Sequence, residues 1–375
     1  MDFDKMTMDS QLRAGDLVQV RSKEEILKTL DEKAQLENLP FMPEMFEFCG
    51  KQFRVFKRAH KTCDPPNGIG GRRMLNTVHL EGTRCNGEAH GGCQARCLMF
   101  WKEAWLTKIN EPSMAKPTEP LSGPPSQGLI VDGKGCTEEN VLAGTQSAAS
   151  TSAAPVFVCQ STQIAQATTP LPWWDLRQYI EDYCSGNVRL SQLLSVFAFT
   201  VYSEIASAGI GLGSFLRWIY DSVQRRRGRT VYPQRVGMVP RGQKTPAASL
   251  NLEPGELVKV RSYKEILATL NEDSRNRGMY FDPEMVLFCG KTYRVMDRVT
   301  RLINEKSGIM QDLKNDCIIL GDVVCQACYS KNRRFCPRAI YPYWREIWLE
   351  RVSPAGSATP KKNEYPLQLE TSATR

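Results

Sequence analysis

Apolar and polar residues alternate near the start of the chain, at Leu17–Val20, and two of these residues are β-branched valines. This alternation predicts a β-strand. The next segment, residues 23–30, predicts a helical turn, because Ser22 begins a capping box in front of it. Two further strands are predicted at residues 51–56 and 77–80. This part of the chain is therefore expected to form several short strands around a small core.

The same pattern returns later in the chain. Aligned without a gap, residues 15–58 and 255–298 are identical at 23 of 44 positions. After a short insertion in the second copy, a Trp-x-x-x-Trp segment aligns at residues 101–105 and 344–348. This spacing places both tryptophans of each copy on one helical face, where we expect them to pack in the core. The chain therefore carries one module of domain size twice.

These elements predict an α+β chain with tandem small SH3-like β-barrel modules that carry Cys/His metal clusters, joined by a flexible linker and a helical unit. The segment Gly-Asp/Glu-Leu-Val-x-Val that opens each copy resembles the first strand of SH3-like and KOW-type barrels. The predicted boundaries are 1–110 for the first module with a three-Cys, one-His cluster, 111–170 for a Ser/Thr/Ala/Pro linker, 171–224 for the helical unit, 225–250 for a basic extended arm, 251–353 for the second module with a four-Cys cluster, and 354–375 for a flexible tail.

Residues 171–224 have the apolar spacing of three helices, with breaks near Ser185 and in a Gly-rich stretch at residues 209–213. The stretch at residues 190–216 contains a single charged residue, Glu204, which raises the alternative of a membrane span. Glutamine, serine and glycine residues interrupt this apolar run. We therefore expect a helical unit packed on a module, and we do not expect a membrane partner.

The chain has 13 Cys and only 3 His. Its first residues lack a basic segment followed by an apolar one, so a secretory signal is not expected and the predicted location is cytoplasmic. Thiols stay reduced in that compartment, and Cys clusters there favour metal sites or reactive thiols over disulfides.

The first copy contains the pattern C-x4-H-x2-C-x3-C, formed by Cys85, His90, Cys93 and Cys97. Three thiolates and one imidazole suit tetrahedral zinc, and the glycines between them let the backbone wrap a small ion. The alternative is that these residues are structural thiols. The Cys residues of the linker and the helical unit lack ligand-like neighbours and are expected to have no such role: Cys136, Cys159 and Cys184.

The second copy has a different Cys pattern, C-x7-C-x2-C-x7-C, formed by Cys317, Cys325, Cys328 and Cys336. Cys325 and Cys336 align with Cys residues of the first copy, and the other two do not. Four thiolates can form a closed zinc site, so the chain is expected to hold up to two zinc ions.

His60 and Cys63 are the candidates for chemistry, because an imidazole and a neighbouring Lys61 would lower the pKa of a thiol close to them. The second copy lacks both residues. The alternative, which we favour, is a surface loop without chemistry. Nucleotide-binding, hydrolase and metalloprotease motifs are absent from the sequence, so the common enzyme classes are not supported.

The formal net charge of +8 comes largely from one stretch. Residues 225–250 contain seven basic residues and no acidic one, and the rest of the chain has 42 basic and 41 acidic residues. This stretch predicts an anion-binding arm, formed mainly by Arg225, Arg226, Arg227 and Arg229, that could contact nucleic acid or an anionic surface. The alternative is a solvated linker.

The segment His90–Gln94 with the following FWKEAWL, and the CPR and YPYWREIWL segments after Cys336, resemble an uncharacterised, mainly bacterial family of two-module, Cys-rich proteins. This resemblance implies the two-module architecture and no mechanism. The expected function is a non-catalytic, zinc-stabilised tandem-module scaffold that binds a protein or nucleic acid. The alternative is an enzyme or redox accessory protein of a biosynthetic pathway that uses the Cys/His cluster of the first module.

Overall fold

The structure is a computed structural model that describes residues 11–64, 70–109, 135–151, 154–209 and 211–352. The predicted tail and the first part of the predicted linker lie outside these ranges.

The first module is built on short strands whose side chains alternate between core and solvent. In the first strand, Val18 and Val20 are fully buried while their neighbours are more exposed. Its elements are β1 (Leu17–Val20), α1 (Lys23–Leu27), β2 (Gln35–Leu36), β3 (Leu39–Pro40), a 3₁₀ helix (Pro43–Phe48), β4 (Gln52–Arg58), β5 (Lys61–Cys63), β6 (Gly71–Arg73), β7 (Thr77–Arg84), a 3₁₀ helix (Glu88–His90), β8 (Leu98–Lys102), a 3₁₀ helix (Glu103–Trp105) and β9 (Leu106–Lys108).

Five of these strands form a curled antiparallel sheet in the order β8-β7-β4-β1-β9. The predicted strands correspond to β1, β4 and β7, and the capping box at Ser22 is present in front of α1. The sequence pattern therefore located the main elements of this module.

The segment between the modules is α2 (Glu138–Ala143), β10 (Thr169–Leu171), α3 (Arg177–Cys184), α4 (Leu190–Ser207) and α5 (Gly213–Arg226). The three helices α3 to α5 and the breaks between them are those that the apolar spacing predicted. No helix in the described ranges is both long enough and apolar enough to cross a membrane.

The prediction of a flexible linker is wrong for residues 135–151 and 154–170. Strand β10 pairs with β6, and Val141, Ile164 and Gln160 are buried against the first module. The side chain of Gln160 explains how a polar segment can pack there. Its amide oxygen accepts from the backbone N–H of Phe100, and its amide nitrogen donates to the Phe100 carbonyl, both at 2.8 Å. Small polar residues were interpreted as solvated, whereas here they satisfy buried backbone groups.

The second module repeats the first. Its elements are β11 (Leu257–Val260), α6 (Tyr263–Leu267), β12 (Arg275–Asn276), β13 (Met279–Tyr280), a 3₁₀ helix (Pro283–Phe288), β14 (Thr292–Ile303), β15 (Met310–Leu320), 3₁₀ helices (Lys331–Arg333 and Glu346–Trp348) and β16 (Leu349–Arg351).

Its sheet has the order β15-β14-β11-β16, which matches β7-β4-β1-β9 of the first module. The chain is thus an α+β protein with two tandem barrel-like modules and a helical unit between them, as predicted. The hairpin β14–β15 has two register shifts and is longer than its counterpart in the first module.

The Trp-x-x-x-Trp segments lie in the core, as expected, but they are not helices. Trp101 is in β8 and Trp105 is in a 3₁₀ helix, and both side chains are fully buried, like Trp344 and Trp348. A strand that runs into a 3₁₀ turn also brings residues i and i+4 to one side, so the spacing did not distinguish the two geometries.

The two modules contact each other through the Cys-rich loop of the first. The backbone N–H of Gln94 donates to the carbonyl of Arg301 at 3.2 Å, and its side-chain oxygen accepts from the N–H of Thr300 at 2.7 Å. Arg84 donates to the carbonyl of Ala339 at 3.0 Å. The Cys-rich loop thereby lies against strand β14 of the second module.

Candidate metal and thiol centre at the module interface

A buried group of three possible metal ligands lies in the first module. One ligand atom each of Glu44, Cys85 and His90 lie within 4.8 Å of one another, and no other group of three or more such residues does so in the described ranges. Glu44 comes from the 3₁₀ helix after β3, Cys85 directly follows β7, and His90 ends the next 3₁₀ helix.

The turn between Cys85 and His90 depends on glycine. Gly87 has a φ of 77°, and a Cβ atom there would lie 2.0 Å from the carbonyl oxygen of Cys93. Because only glycine fits this approach, the loop can fold back and bring His90 next to Cys85.

His90 lies between two oxygen acceptors. Its Nδ1 is 2.7 Å from the Glu44 carboxylate, and its Nε2 is 3.0 Å from the carbonyl of Val158. An imidazole satisfies both only when both nitrogens carry protons. Burial raises the pKa of Glu44, but the hydrogen bond and charge of His90 outweigh burial, and the net pKa of Glu44 is lowered. The site therefore contains a buried carboxylate that is hydrogen-bonded to a buried imidazole.

The other predicted ligands of the first copy are close by. Cys85, His90, Cys93 and Cys97 all line one small cavity of about 30 Å³, and Cys159 lines it too. Cys93 and Cys97 are not within the tight three-residue group. The structure therefore brings all four residues of the C-x4-H-x2-C-x3-C pattern to one cavity, and adds a carboxylate and a fourth thiol.

Burial controls the protonation of these thiols. It raises the pKa of Cys159 to about 12, and it raises the pKa of Cys85 and of Cys97 above the ordinary thiol value. Such thiols are poor nucleophiles near neutral pH. A cation in the cavity would lower these raised pKa values, because a thiol that coordinates a metal ion loses its proton.

The predicted ligands of the second copy do not meet at one point. Cys317 packs with Val299 and Ile319, while Cys328 lies against a separate cluster around Tyr179. Cys325 and Cys336 share a third cluster with Cys63 of the first module, and Ala327 and Ile340 complete this cluster. The four thiols thus belong to three different hydrophobic clusters.

A repeated glutamate organises the loop of each module. In the second module Glu284, which aligns with Glu44, is buried and accepts three backbone N–H bonds from Cys328, Tyr329 and Ser330, at 2.9, 2.6 and 3.1 Å. The three-residue insertion of the second copy falls in this loop, which contains no histidine. In the second module, backbone N–H groups therefore bind the buried carboxylate of Glu284, whereas in the first module the His90 imidazole binds the carboxylate of Glu44.

A second sulfur centre joins the two modules. The backbone N–H of Cys63 donates to Sγ of Cys336 at 3.2 Å. The hydrogen bond from the Cys63 thiol, together with backbone donors and Arg338, lowers the pKa of Cys336 to about 6 despite its burial. The pKa of Cys63 is raised, first because its thiol donates to Cys336 and also because it is buried. Within this pair Cys336 is therefore the thiol that loses its proton more readily.

Arg338 supplies the positive charge at this interface. Its side chain is 2% exposed, and it donates to Glu305 at 2.5 Å, to the Ser161 hydroxyl at 2.8 Å and to the Cys63 carbonyl at 3.3 Å. It thus connects both modules and the segment between them.

His60 and Cys63 are not in a surface loop, contrary to the interpretation favoured from the sequence. Both are buried, and His60, which directly precedes β5, lies against helix α3. His60 Nε2 is 3.3 Å from an Asp182 oxygen, and Lys61 forms an ion pair with the same carboxylate. His60 and Cys63 therefore take part in two different contacts and do not form a catalytic pair.

The arginines of the predicted arm lie at the end of α5 and just beyond it. Arg225 and Arg226 form the last turn of this helix, and Arg227 and Arg229 follow it; all four are exposed. Beyond them Tyr232 is fully buried against the helical unit, where its backbone N–H donates to Asp221 at 2.8 Å. The chain then packs on the second module, where the Pro233 carbonyl accepts from the Tyr263 hydroxyl at 2.6 Å.

Three residues of these centres were not found from the sequence. Glu44 carried a signal, because Pro-Glu-Met is identical in both copies, but a single carboxylate suggested no ligand. Arg338 follows Cys336 in a Cys-Pro-Arg segment, yet only the packing of the modules brings it to Cys63. Cys159 gave no signal, because it lies far from the other ligands along the chain.

Fold and site together define a class: a tandem β-module protein with a thiol-rich centre between its modules. Comparison of the chain with protein-family models, with curated proteins and with solved structures gives no match.

Proposed function

We propose that this chain is a non-catalytic, zinc-stabilised scaffold in which one metal centre fixes the Cys-rich loop of the first module against the second module. The observation that carries the proposal is the buried group of Glu44, Cys85 and His90 beside a cavity lined by three further thiols. A binding partner, protein or nucleic acid, would contact surfaces outside this centre.

The donor set favours zinc. Thiolate and imidazole ligands suit zinc, whereas magnesium and calcium prefer sites made of oxygen donors. Cys85 and His90 would bind through Sγ and Nε2, with Cys93, Cys97 or Cys159 completing the set. Binding through Nε2 would replace its proton and its contact with the Val158 carbonyl. Glu44 would keep its hydrogen bond to Nδ1 and orient the ring, as carboxylates do behind metal-bound histidines.

A closed site of this kind stabilises a fold and does not expose a water molecule for catalysis. The raised thiol pKa values agree with that role, because free thiols in this cavity would not be reactive at neutral pH. The Cys-rich loop also donates to β14, so fixing the loop would fix the contact between the modules.

The test compares metal-dependent stability in matched variants. We expect a chelator to lower the melting temperature of the wild-type chain, and Cys85→Ser and His90→Gln to melt at the chelated value without further response. Cys49→Ser is the control, because Cys49 lies in the hydrophobic core of the same module, outside the cavity. A wild-type melting temperature that is the same with and without chelator would overturn the proposal.

The Cys63–Cys336 pair favours a second candidate function, a thiol redox accessory protein. Cys336 lines a narrow cleft of about 10 Å³ between Lys61, Tyr179 and Arg334, and a small oxidant such as hydrogen peroxide would reach its sulfur when this cleft widens. The Cys336 thiolate would attack one oxygen and break the O–O bond, giving a sulfenic acid and, after protonation of the hydroxide, water. The Cys63 thiol would then displace a second water and form a disulfide. Two thiols and one peroxide thus give one disulfide and two waters.

This second candidate predicts a specific cross-link. Peptide mass spectrometry after mild peroxide treatment should find Cys63 joined to Cys336, and replacing Arg338 by Met should slow its formation. Cys325, which shares the cluster, serves as the internal control and should stay a free thiol. Oxidation spread evenly over the 13 Cys would rule the redox function out.

A further inference from the structure

The helical unit exposes large apolar side chains on all three of its helices. A contiguous apolar patch of more than a few hundred Å² is unusual on a soluble protein and marks a binding surface. We call the following residues the helical face: Trp174, Leu176, Ile180, Leu190, Leu194, Val201, Ile205, Phe215 and Trp218.

Helix α4 shows that these residues are one side of an amphipathic helix. Leu190, Leu194, Val201 and Ile205 follow an i, i+4, i+11, i+15 spacing, which places them within a narrow arc of the helix. Their exposed fractions are 53%, 60%, 60% and 48%. The opposite side of the same helix is buried, so α4 already has its packing partner, and the exposed arc is not needed for the fold.

Helix α5 combines apolar and basic side chains on one side. Phe215 and Trp218 stack at 6.1 Å between ring centroids and are 57% and 62% exposed. Arg225 and Arg226 follow at helical spacing on the same side, and the side chain of Arg225 is 69% exposed. An aromatic pair in line with arginines is typical of helices that lie at a lipid–water interface.

The acidic residues of the helical unit are turned inward or paired. Glu181 pairs with Arg73 at 3.1 Å, and Asp182 is fully buried against Lys61. Asp221 is buried and pairs with Arg235 and, at 3.6 Å, with Arg225. The exception to the inward placement is Glu204 of α4, which is exposed. The exposed Arg226, Arg227 and Arg229 outnumber it, so this surface has a net positive charge that complements an anionic surface.

We propose that the helical face binds the surface of an anionic phospholipid bilayer, with the apolar side chains at the acyl boundary and Arg225, Arg226, Arg227 and Arg229 among the headgroups. This inference goes beyond the proposed scaffold function and does not depend on the metal centre. It concerns binding parallel to the surface, which agrees with the finding that no described helix can cross a membrane.

A bilayer explains the face better than a second copy of the chain or a nucleic acid does. Two copies in contact through this face would bring two arginine clusters together without acidic partners. A nucleic acid would use the arginines but would leave Leu194, Val201 and Ile205 in water.

The experiment is co-sedimentation of the full chain with vesicles at physiological salt. We expect binding to vesicles of phosphatidylcholine with phosphatidylserine, and little binding to phosphatidylcholine alone. Each arginine near the surface contributes about fivefold in affinity, so replacing all four by Gln should weaken binding by several hundredfold. Phe215→Ser with Trp218→Ser should also weaken binding.

Matched controls come from elsewhere in the chain. Met296→Ser removes an exposed apolar residue of the second module, and Lys259→Gln removes a charge there; neither should change binding. A second measurement needs no variant: lipids brominated in the upper acyl chain should quench the emission of the exposed tryptophans of the wild-type chain.

Failure to bind anionic vesicles, or binding that the helical-face variants leave unchanged, would overturn the proposal. So would a wild-type dimer that Phe215→Ser with Trp218→Ser converts to a monomer, because a second copy would then cover the face. Retention of a single-stranded oligonucleotide together with absence of vesicle binding would assign the arginines to nucleic acid instead.

Discussion

Single substitutions between the two copies show which groups each module depends on. The indole N–H of Trp101 donates to the Thr83 hydroxyl at 3.0 Å. The aligned Trp344 is equally buried, but its indole N–H has no partner in the described ranges, because Val323 stands where the first copy has Thr83. The described part of the second module therefore contains a buried indole N–H without an acceptor, whereas the equivalent N–H of the first module has one.

This difference gives a prediction with an unusual sign. Replacing buried valine by threonine normally costs about 1–3 kcal/mol, because the hydroxyl is desolvated. Val323→Thr should instead leave the free energy of unfolding unchanged or raise it by about 1 kcal/mol, since its hydroxyl can accept from Trp344. Val258→Thr, at another fully buried position of the same module, is the control and should destabilise. Urea unfolding measures both, and equal losses would contradict the account.

His79 supplies a second residue-scale prediction. It is fully buried, and its Nδ1 is 2.8 Å from the carbonyl of Met99. Burial lowers the pKa of His79 from 6.5 to about 3. The unfolded chain therefore binds a proton between these values that the folded chain does not, so the contribution of neutral His79 to stability is complete above pH 6.5 and is lost as the pH falls towards 3.

The second copy has Ile319 at this position, which provides the matched variant. The free energy of unfolding of the wild-type chain should fall more steeply than that of His79→Ile between pH 6.5 and 4, by about 1.4 kcal/mol per pH unit. Denaturant titrations at several pH values measure this difference. Parallel curves would show that His79 does not titrate as its burial requires.

At the scale of elements, the apolar periodicity predicted the strands and helices whose formation depends on the local sequence. The strands β1, β4 and β7, the capped turn α1 and the helices α3 to α5 were all located from apolar spacing and capping residues. The prediction failed where tertiary contacts decide. Gln160 and β10 are ordered because they satisfy backbone groups of the first module, and no pattern within residues 135–170 records those groups.

The contacts between the modules predict unequal costs for two arginines. Arg338 is buried and pairs with the partly exposed Glu305, whereas Arg96 pairs with Asp297 at 2.8 Å and is 42% exposed. Breaking a buried pair leaves an uncompensated charge, so Arg338→Met should lower the free energy of unfolding by about 3 kcal/mol.

Arg96→Met is the control for this interface and should cost less than about 1 kcal/mol, because exposed pairs contribute little. Urea unfolding of both variants, followed by tryptophan fluorescence, compares them. Similar losses in the two variants would mean that the Arg338 centre does not hold the modules together.

At the scale of the whole molecule, the duplication was visible in the sequence but the way in which the copies meet was not. The spacing of Cys85, His90, Cys93 and Cys97 predicted one centre, and the structure brings these residues to one cavity. Spacing also suggested a second centre of the same kind, yet its four thiols are divided among three clusters. Cys336 instead meets Cys63 across the interface, a contact between residues far apart in the chain that no local pattern encodes.

The central claim is that one metal ion is held beside Glu44, Cys85 and His90. Native mass spectrometry of the freshly purified wild-type chain, with elemental analysis of the same sample, tests this claim most directly. The account predicts a chain with one zinc ion, which His90→Gln and Cys85→Ser lose and Cys49→Ser keeps. A purified chain that carries no metal, and that takes up none when zinc is added in slight excess, would contradict it.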